Sequence, residues 1–186
     1  MKKRGVTLIE LLITMTMIAA ISAVITSVYL TGYKTFTTQL ASSTIQSDAQ
    51  TILDALTTDI KNGILIEESY DSYTSDNDSI IIRVPAIDSG GNIVYSGSNM
   101  LFDRIIYYYS GDSIHKIIYA DPMSKRYSNS GKDVILDKKI LALGFTYEPD
   151  ATAATLVTIT INSEIDLGHY TQTFSITGKA RLRNHI

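Results

Sequence analysis

A carboxylate inside an otherwise apolar run is the first group in this sequence that asks for a chemical role. Glu10 is the only charged residue from Val6 to Leu30 (VTLIELLITMTMIAAISAVITSVYL), and Leu11 to Tyr33 is free of Asp, Glu, Lys and Arg. An acid within an apolar helix costs ~2.5–3.5 kcal/mol at the centre of a bilayer span and less near its end, so such acids are rare and usually paired. The plainer role is an interfacial glutamate that snorkels toward headgroups. A second acidic group, Asp71, Asp76 and Asp78 in the stretch DSYTSDND, offers oxygen ligands of the kind Ca²⁺ takes. It lacks the glycine and terminal glutamate of an EF-hand loop, so a solvated acidic loop is the favoured reading and no metal is expected. The three histidines, His115, His169 and His185, are isolated and none stands at metal-ligand spacing. No G-x-S-x-G, phosphate-cradling glycine loop or HExxH is present. The residue types therefore predict no enzyme and no cofactor.

The element that must carry Glu10 is a membrane helix. About 20 apolar residues span the hydrocarbon core, and the run behind Gly5 is long enough, with Lys2, Lys3 and Arg4 held on the cytoplasmic side by the positive-inside rule. A cleaved secretory signal fits less well, despite the small residues Ser22, Ala23 and Ser27. The run exceeds the usual 7–15-residue apolar core, no small-x-small exit stands out, and an acid sits near its start. Without the three leader cations the chain keeps 13 basic against 19 acidic side chains, a formal charge of −6. An acidic body has no basic footprint for nucleic acid. There is no cysteine, which excludes a disulfide scaffold, thiolate metal sites and a cysteine nucleophile.

The string from Lys2 to Ile13, K-K-R-G-V-T-L-I-E-L-L-I, resembles the leader of type IV prepilins and type II secretion pseudopilins. In that family a basic leader ends in glycine, a membrane aspartyl peptidase cuts after it, the new N-terminus is methylated, and a glutamate stands at mature position five. The resemblance implies cleavage between Gly5 and Val6, N-methylation at Val6, and an assembly role for Glu10. Thr7, Leu8 and Ile9 fill the small-polar and apolar places between, while Val6 replaces the family's commoner phenylalanine. In a filament, Glu10 of one subunit would face the Val6 amine of a neighbour. Opposite charges attract strongly in low dielectric, though each must first leave water. Such a pair sets the axial register between subunits, as a buried polar group does in a coiled coil.

Beyond the membrane run, apolar residues recur at Phe36, Leu40, Ile45, Ala49, Ile52, Leu53, Leu56 and Ile60. From Ile45 onward these form one stripe of a 3.6-residue helix, and Asn62-Gly63 supplies a stop. Thr35, Thr37 and Thr38 are weak helix formers, so Gly32 to Thr38 admits a bend. After Gly63 the pattern changes to strands at Ser79–Val84, Arg104–Tyr109, Ile114–Tyr119, Val134–Tyr147, Thr155–Asn162 and Tyr170–Arg183, mostly antiparallel and in meander order. The turn between the second and third is Ser110-Gly111-Asp112-Ser113, and Asp71–Asp78 and Asp88–Gly97 read as polar loops. Tyr107, Tyr108 and Tyr109 suggest an aromatic contact surface, with alternation sending half of them to the core.

The expected fold is α+β and pilin-like, a long N-terminal helix with a membrane half and an amphipathic half packed on a C-terminal antiparallel sheet domain. Its parts are a leader (1–5), a transmembrane and assembly segment (6–30), an amphipathic continuation (31–63) and an extracytoplasmic β domain (64–186). The segments TILDALTTDIKNG (Thr51–Gly63), ILALGFTY (Ile140–Tyr147) and ARLRN (Ala180–Asn184), with the hairpin Arg104–Tyr119, resemble the W-type minor pilins and J-type pseudopilins. The resemblance implies a minor structural subunit of a type IV pilus, type II secretion or DNA-uptake filament. Its partners would be prepilin peptidase, other pilin or pseudopilin subunits and the cytoplasmic membrane, with no direct nucleic-acid contact. The competing reading is a single-pass anchored binding module that is never cut.

Overall fold

The structure, a computed structural model, describes residues 7–137, 140–151, 153–166 and 171–182. One long helix precedes a set of antiparallel strands, which is the α+β pilin-like arrangement expected. The chain divides into two compact units, one up to Ser43 and one from Thr44 onward, and helix α1 (Leu8–Asn62) supplies residues to both.

Within the first unit the helix has no core to bury. An 18-residue window of it has a mean hydropathy of 2.3 and none of its residues is buried, so by length and composition it can cross a membrane. Its threonines keep their hydroxyls satisfied internally: Thr26, Thr31, Thr35 and Thr37 donate to the carbonyls of Ser22, Ser27, Thr31 and Tyr33 at 2.8–3.1 Å. This back-bonding lets a polar residue sit in an apolar helix without an orphan donor. The helix assignment runs unbroken through Gly32–Thr38, where the sequence admits a bend.

In the second unit, Ile45, Ala49, Ile52, Leu53, Leu56 and Ile60 are buried, the stripe read from the sequence. Phe36 and Leu40 do not belong to it. Both lie in the first unit and are exposed. Helix α1 ends at Asn62, as the Asn-Gly signal predicts, but Gly63 is required by crowding. A Cβ there would stand 2.8 Å from Ile82 Cγ2 and 2.9 Å from Leu182 Cδ2.

The strands are β1 (Leu65–Ile66), β2 (Ser69–Tyr70), β3 (Tyr73–Thr74), β4 (Ser79–Pro85), β5 (Tyr95–Ser96), β6 (Asn99–Met100), β7 (Phe102–Ser110), β8 (Ser113–Tyr119), β9 (Asp133–Asp137), β10 (Ile140–Glu148), β11 (Leu156–Asp166) and β12 (Thr171–Arg181). They build one sheet in the order β1-β4-β7-β8-β9 and a second in the order β10-β11-β12. Hairpins β2–β3 and β5–β6 overlap the regions read as polar loops: β3 and β5 fall inside Asp71–Asp78 and Asp88–Gly97, while β2 and β6 lie just beyond them. Every strand ladder is antiparallel. The expected hairpin is β7–β8, closed by Gly111 and Asp112 with φ of 56° and 58° between paired Ser110 and Ser113. Positive φ at both central residues is the two-residue turn whose twist matches antiparallel strands.

Val134–Tyr147 is not one strand. It divides into β9 and β10, which belong to different sheets. The sequence carried the reason: Asp137-Lys138-Lys139 places three consecutive charges, of types depleted in strands, in mid-run. Lys138, Lys139, Tyr170 and Arg183 lie outside the described residues. The two sheets meet along β10, where Phe145 N donates to Asn77 O (2.8 Å) and the Tyr147 hydroxyl donates to Ser79 O (2.8 Å). One core joins the α1 stripe to Ile80, Ile82, Val84, Ile105 and Tyr107 of the first sheet and Phe145, Val157, Ile159, Ile161 and Ala180 of the second.

Candidate processing and assembly site

Lys2, Lys3, Arg4, Gly5 and Val6 lie outside the described residues, and the site is visible from Thr7 onward. Thr7 is the residue before the helix, and Glu10 sits three residues on. Glu10 N donates to Thr7 Oγ1 (3.3 Å), while Thr7 N and Thr7 Oγ1 each donate to Glu10 Oε2 (3.5 Å). Thr7 O accepts from Glu10 N at 3.1 Å and Leu11 N at 3.2 Å. This is a capping box, in which threonine and glutamate satisfy each other's otherwise orphaned backbone donors at a helix start. A carboxylate in the first turn also meets the positive end of the helix dipole. The T-x-x-E spacing was legible in the sequence, where Thr7 was read only as a small polar filler. The carboxylate is exposed, and Oε1 has no hydrogen-bond partner among the described residues. Glu10 can therefore cap its own helix through one oxygen and accept from a second group through the other.

The acidic loop is put to structural use. Asp76 Oδ1 accepts from Asp78 N (3.1 Å), Ser79 N (3.0 Å) and Ser79 Oγ (3.0 Å), and the Ser79 hydroxyl also bonds Thr74 O. Burial works against the Asp76 charge, but these bonds and one shared with Asp78 outweigh it and lower its pKa below the ordinary value. Asp78 moves the other way, through the hydrogen bond it shares with Asp76, then burial and repulsion between the two carboxylates. Asp71 occupies the β2–β3 turn with φ of 55°, and its Oδ2 accepts from the Tyr119 hydroxyl at 3.4 Å. The three aspartates are not gathered into one donor set, and no group of three His, Cys, Asp or Glu suited to a metal occurs among the described residues.

The His115 side chain is engaged within the fold. Its Nδ1 lies 2.9 Å from Asp133 Oδ2, its ring stacks on Tyr108 at 4.8 Å, and the Tyr108 hydroxyl donates to the same carboxylate at 3.0 Å. His169 and His185 lie outside the described residues. The tyrosine triplet alternates as read: Tyr107 is fully buried on the core face, and Tyr108 lies on the other face beside Tyr73 and His115.

Two polar anchors were missed by the sequence reading. The Tyr107 hydroxyl donates to Asp59 Oδ2 (2.6 Å), which also accepts from Lys116 Nζ (2.8 Å), so one carboxylate near the end of α1 clamps β7 and β8. Burial, then the Asp59 charge and hydrogen bond, push the Tyr107 hydroxyl's pKa well up, so it stays a donor. Elsewhere Asp103, fully buried, accepts from Arg126 Nη1 (2.7 Å), Ser124 Oγ (2.7 Å) and Asp121 N (3.0 Å). That network ties the segment around the 3₁₀ turn Lys125–Asn129 to the sheet. Asp59 and Asp103 carried no local sequence signal, because their partners lie distant in the chain.

Residues 1–26 match the model of the prokaryotic N-terminal methylation motif. The match covers the residues ahead of the helix, the Thr7–Glu10 cap and the first part of α1 as far as Thr26, and it supports a prepilin-like, membrane-anchored protein. No curated protein and no solved structure matches the chain.

Proposed function

We propose that this chain is a minor pilin or pseudopilin, a non-enzymatic structural subunit of a type IV pilus, type II secretion or DNA-uptake filament. Prepilin peptidase cuts it between Gly5 and Val6 and methylates the Val6 amine. The segment from Leu11 to Leu30 holds it in the cytoplasmic membrane with the N-terminus inside, and the β domain lies outside the cytoplasm. The strand and helix-end segments that resemble W-type minor pilins and J-type pseudopilins make that group the favoured one. The observation that carries the reading is a coincidence: the methylation motif at residues 1–26 overlaps the start of helix α1, whose large apolar side chains from Leu8 to Leu40 are exposed. A signal for processing and a surface with no partner of its own belong together in a subunit that joins others. An uncleaved anchor needs no cut between Gly5 and Val6, and in it the Glu10 carboxylate would serve only as a helix cap.

One experiment tests both halves. Intact mass of membrane-extracted protein is expected to show a chain beginning at Val6 with one added methyl group; a chain beginning at Met1, or near Ser27, removes the reading. The same preparations from Glu10→Gln and Glu10→Ala report on assembly. Gln still satisfies the capping box but cannot pair with an amine, so a charge-pairing role predicts normal cleavage and reduced incorporation into filaments for both variants. If Glu10→Gln assembles like the parent while Glu10→Ala does not, Glu10 acts as a helix cap alone.

A further inference from the structure

The core faces of β4 and β7 carry Ile80, Ile82, Val84, Ile105 and Tyr107, so strand alternation sends Arg83 and Arg104 to the opposite face. These two arginines are direct partners in the β4–β7 register, and like charges opposite each other destabilise a sheet. One carboxylate answers both. Glu67 Oε2 accepts from Arg104 Nε at 2.6 Å, while Oε1 stands 3.6 Å from Arg83 Nε, beyond hydrogen-bond reach. Arg83 Nε is consequently buried without a hydrogen-bond partner. Aromatic rings hold both forks: Arg83 lies over Phe102 at 3.8 Å and Arg104 over Tyr70 at 4.2 Å, with Tyr70 packed edge-on against Tyr119. Stacking fixes a guanidinium without using its N–H donors. Each arginine has five donors, and among the described residues the pair makes a single hydrogen bond, although 31% and 28% of the side chains are exposed.

We infer that Arg83 and Arg104 form a binding site for an oxyanion, a carboxylate or a phosphate. The anion brings the second negative charge that the pair lacks, and its oxygens accept from the exposed guanidinium edges in the geometry that stacked arginines favour. Asp71, held by the Tyr119 hydroxyl, is the acidic neighbour that an incoming anion must overcome, since Tyr119 pairs with Arg104 across β7–β8. Arg126 is the internal contrast: its Nη1 is already committed to Asp103 Oδ2 and Pro85 O.

The test uses the full chain in non-ionic detergent, labelled with ¹⁵N-arginine. The Nε–Hε signals are followed during titration with sodium phosphate or sodium acetate, against sodium chloride at matched ionic strength. Saturable shifts at Arg83 and Arg104 with none at Arg126 are expected, and Arg83→Gln should weaken binding at least ~10-fold. Glu67→Gln removes the competing carboxylate and should tighten it, which keeps the test open if Arg83→Gln does not fold. Response to phosphate alone assigns a phosphoryl ligand, and response to acetate as well shows that a carboxylate suffices. No saturable shift with either anion, an equal shift at Arg126, or unchanged affinity in Glu67→Gln overturns the site.

Discussion

Gly178 shows how one missing side chain seats a helix. In β12 its Cα lies under Leu53 of α1, and a Cβ there would stand 2.8 Å from Leu53 Cδ1, 3.0 Å from Cδ2 and 3.1 Å from Cγ. With Cγ itself at 3.1 Å, rotating the methyls alone does not relieve the contact. Overpacking of this kind costs ~1–3 kcal/mol, partly offset by the ~0.4–1 kcal/mol that Gly→Ala gains by restricting the unfolded chain. Gly178→Ala should therefore destabilise the body by ~1 kcal/mol, read from denaturant unfolding followed by near-UV tyrosine dichroism. In a Leu53→Ala background the same change should cost almost nothing, and full additivity of the two would refute the contact as its cause. Glu10 makes a related point. Its partner Thr7 was within reach of sequence reading, because a capping box is local, whereas the Leu53–Gly178 contact joins residues far apart in the chain.

At the scale of the element, α1 is one helix with two different demands on its side chains. Up to Leu40 its apolar residues are exposed, and from Ile45 they line a stripe buried in the body. Leu56 is fully buried, so Leu56→Ala should cost the body ~2–5 kcal/mol by lost transfer energy and a residual cavity. Phe36 is 63% exposed in the first unit, and Phe36→Ala should leave the body's stability within ~0.5 kcal/mol. The same denaturant titration compares them. Equal losses would mean that residues before Thr44 contribute to the body's core. Hydrophobic periodicity could not make this distinction, because an apolar residue at helical spacing has the same pattern whether its partner is a sheet or lipid. The β9–β10 break has a different cause. Asp137-Lys138-Lys139 interrupts the β-branched and apolar run between Val134 and Tyr147 with three charges of types depleted in strands.

For the whole molecule, the leader cations and an acidic body form a charge asymmetry along the chain, three cations ahead of a body at −6. Under the proposed topology the positive-inside rule keeps the N-terminus in the cytoplasm, so a reporter active only outside the cytoplasm, fused after Ile186, should be active. A silent reporter in a stably expressed fusion would reverse the proposed topology. The sequence by itself determined what is local and periodic: the membrane-length helix, the Gly5–Glu10 spacing, the stripe from Ile45, the β7–β8 hairpin and the α+β order. Each follows from neighbours within a few residues, where spacing alone says which side chains share a face. Tertiary structure decided what depends on distant partners: the division of strands into two sheets, Asp59 as a clamp on Tyr107 and Lys116, and Asp103 buried against Arg126. It also decided that Arg83 and Arg104 share one carboxylate. A buried charge is tolerable only where the fold delivers its counter-charge, and no periodicity records which residue that will be.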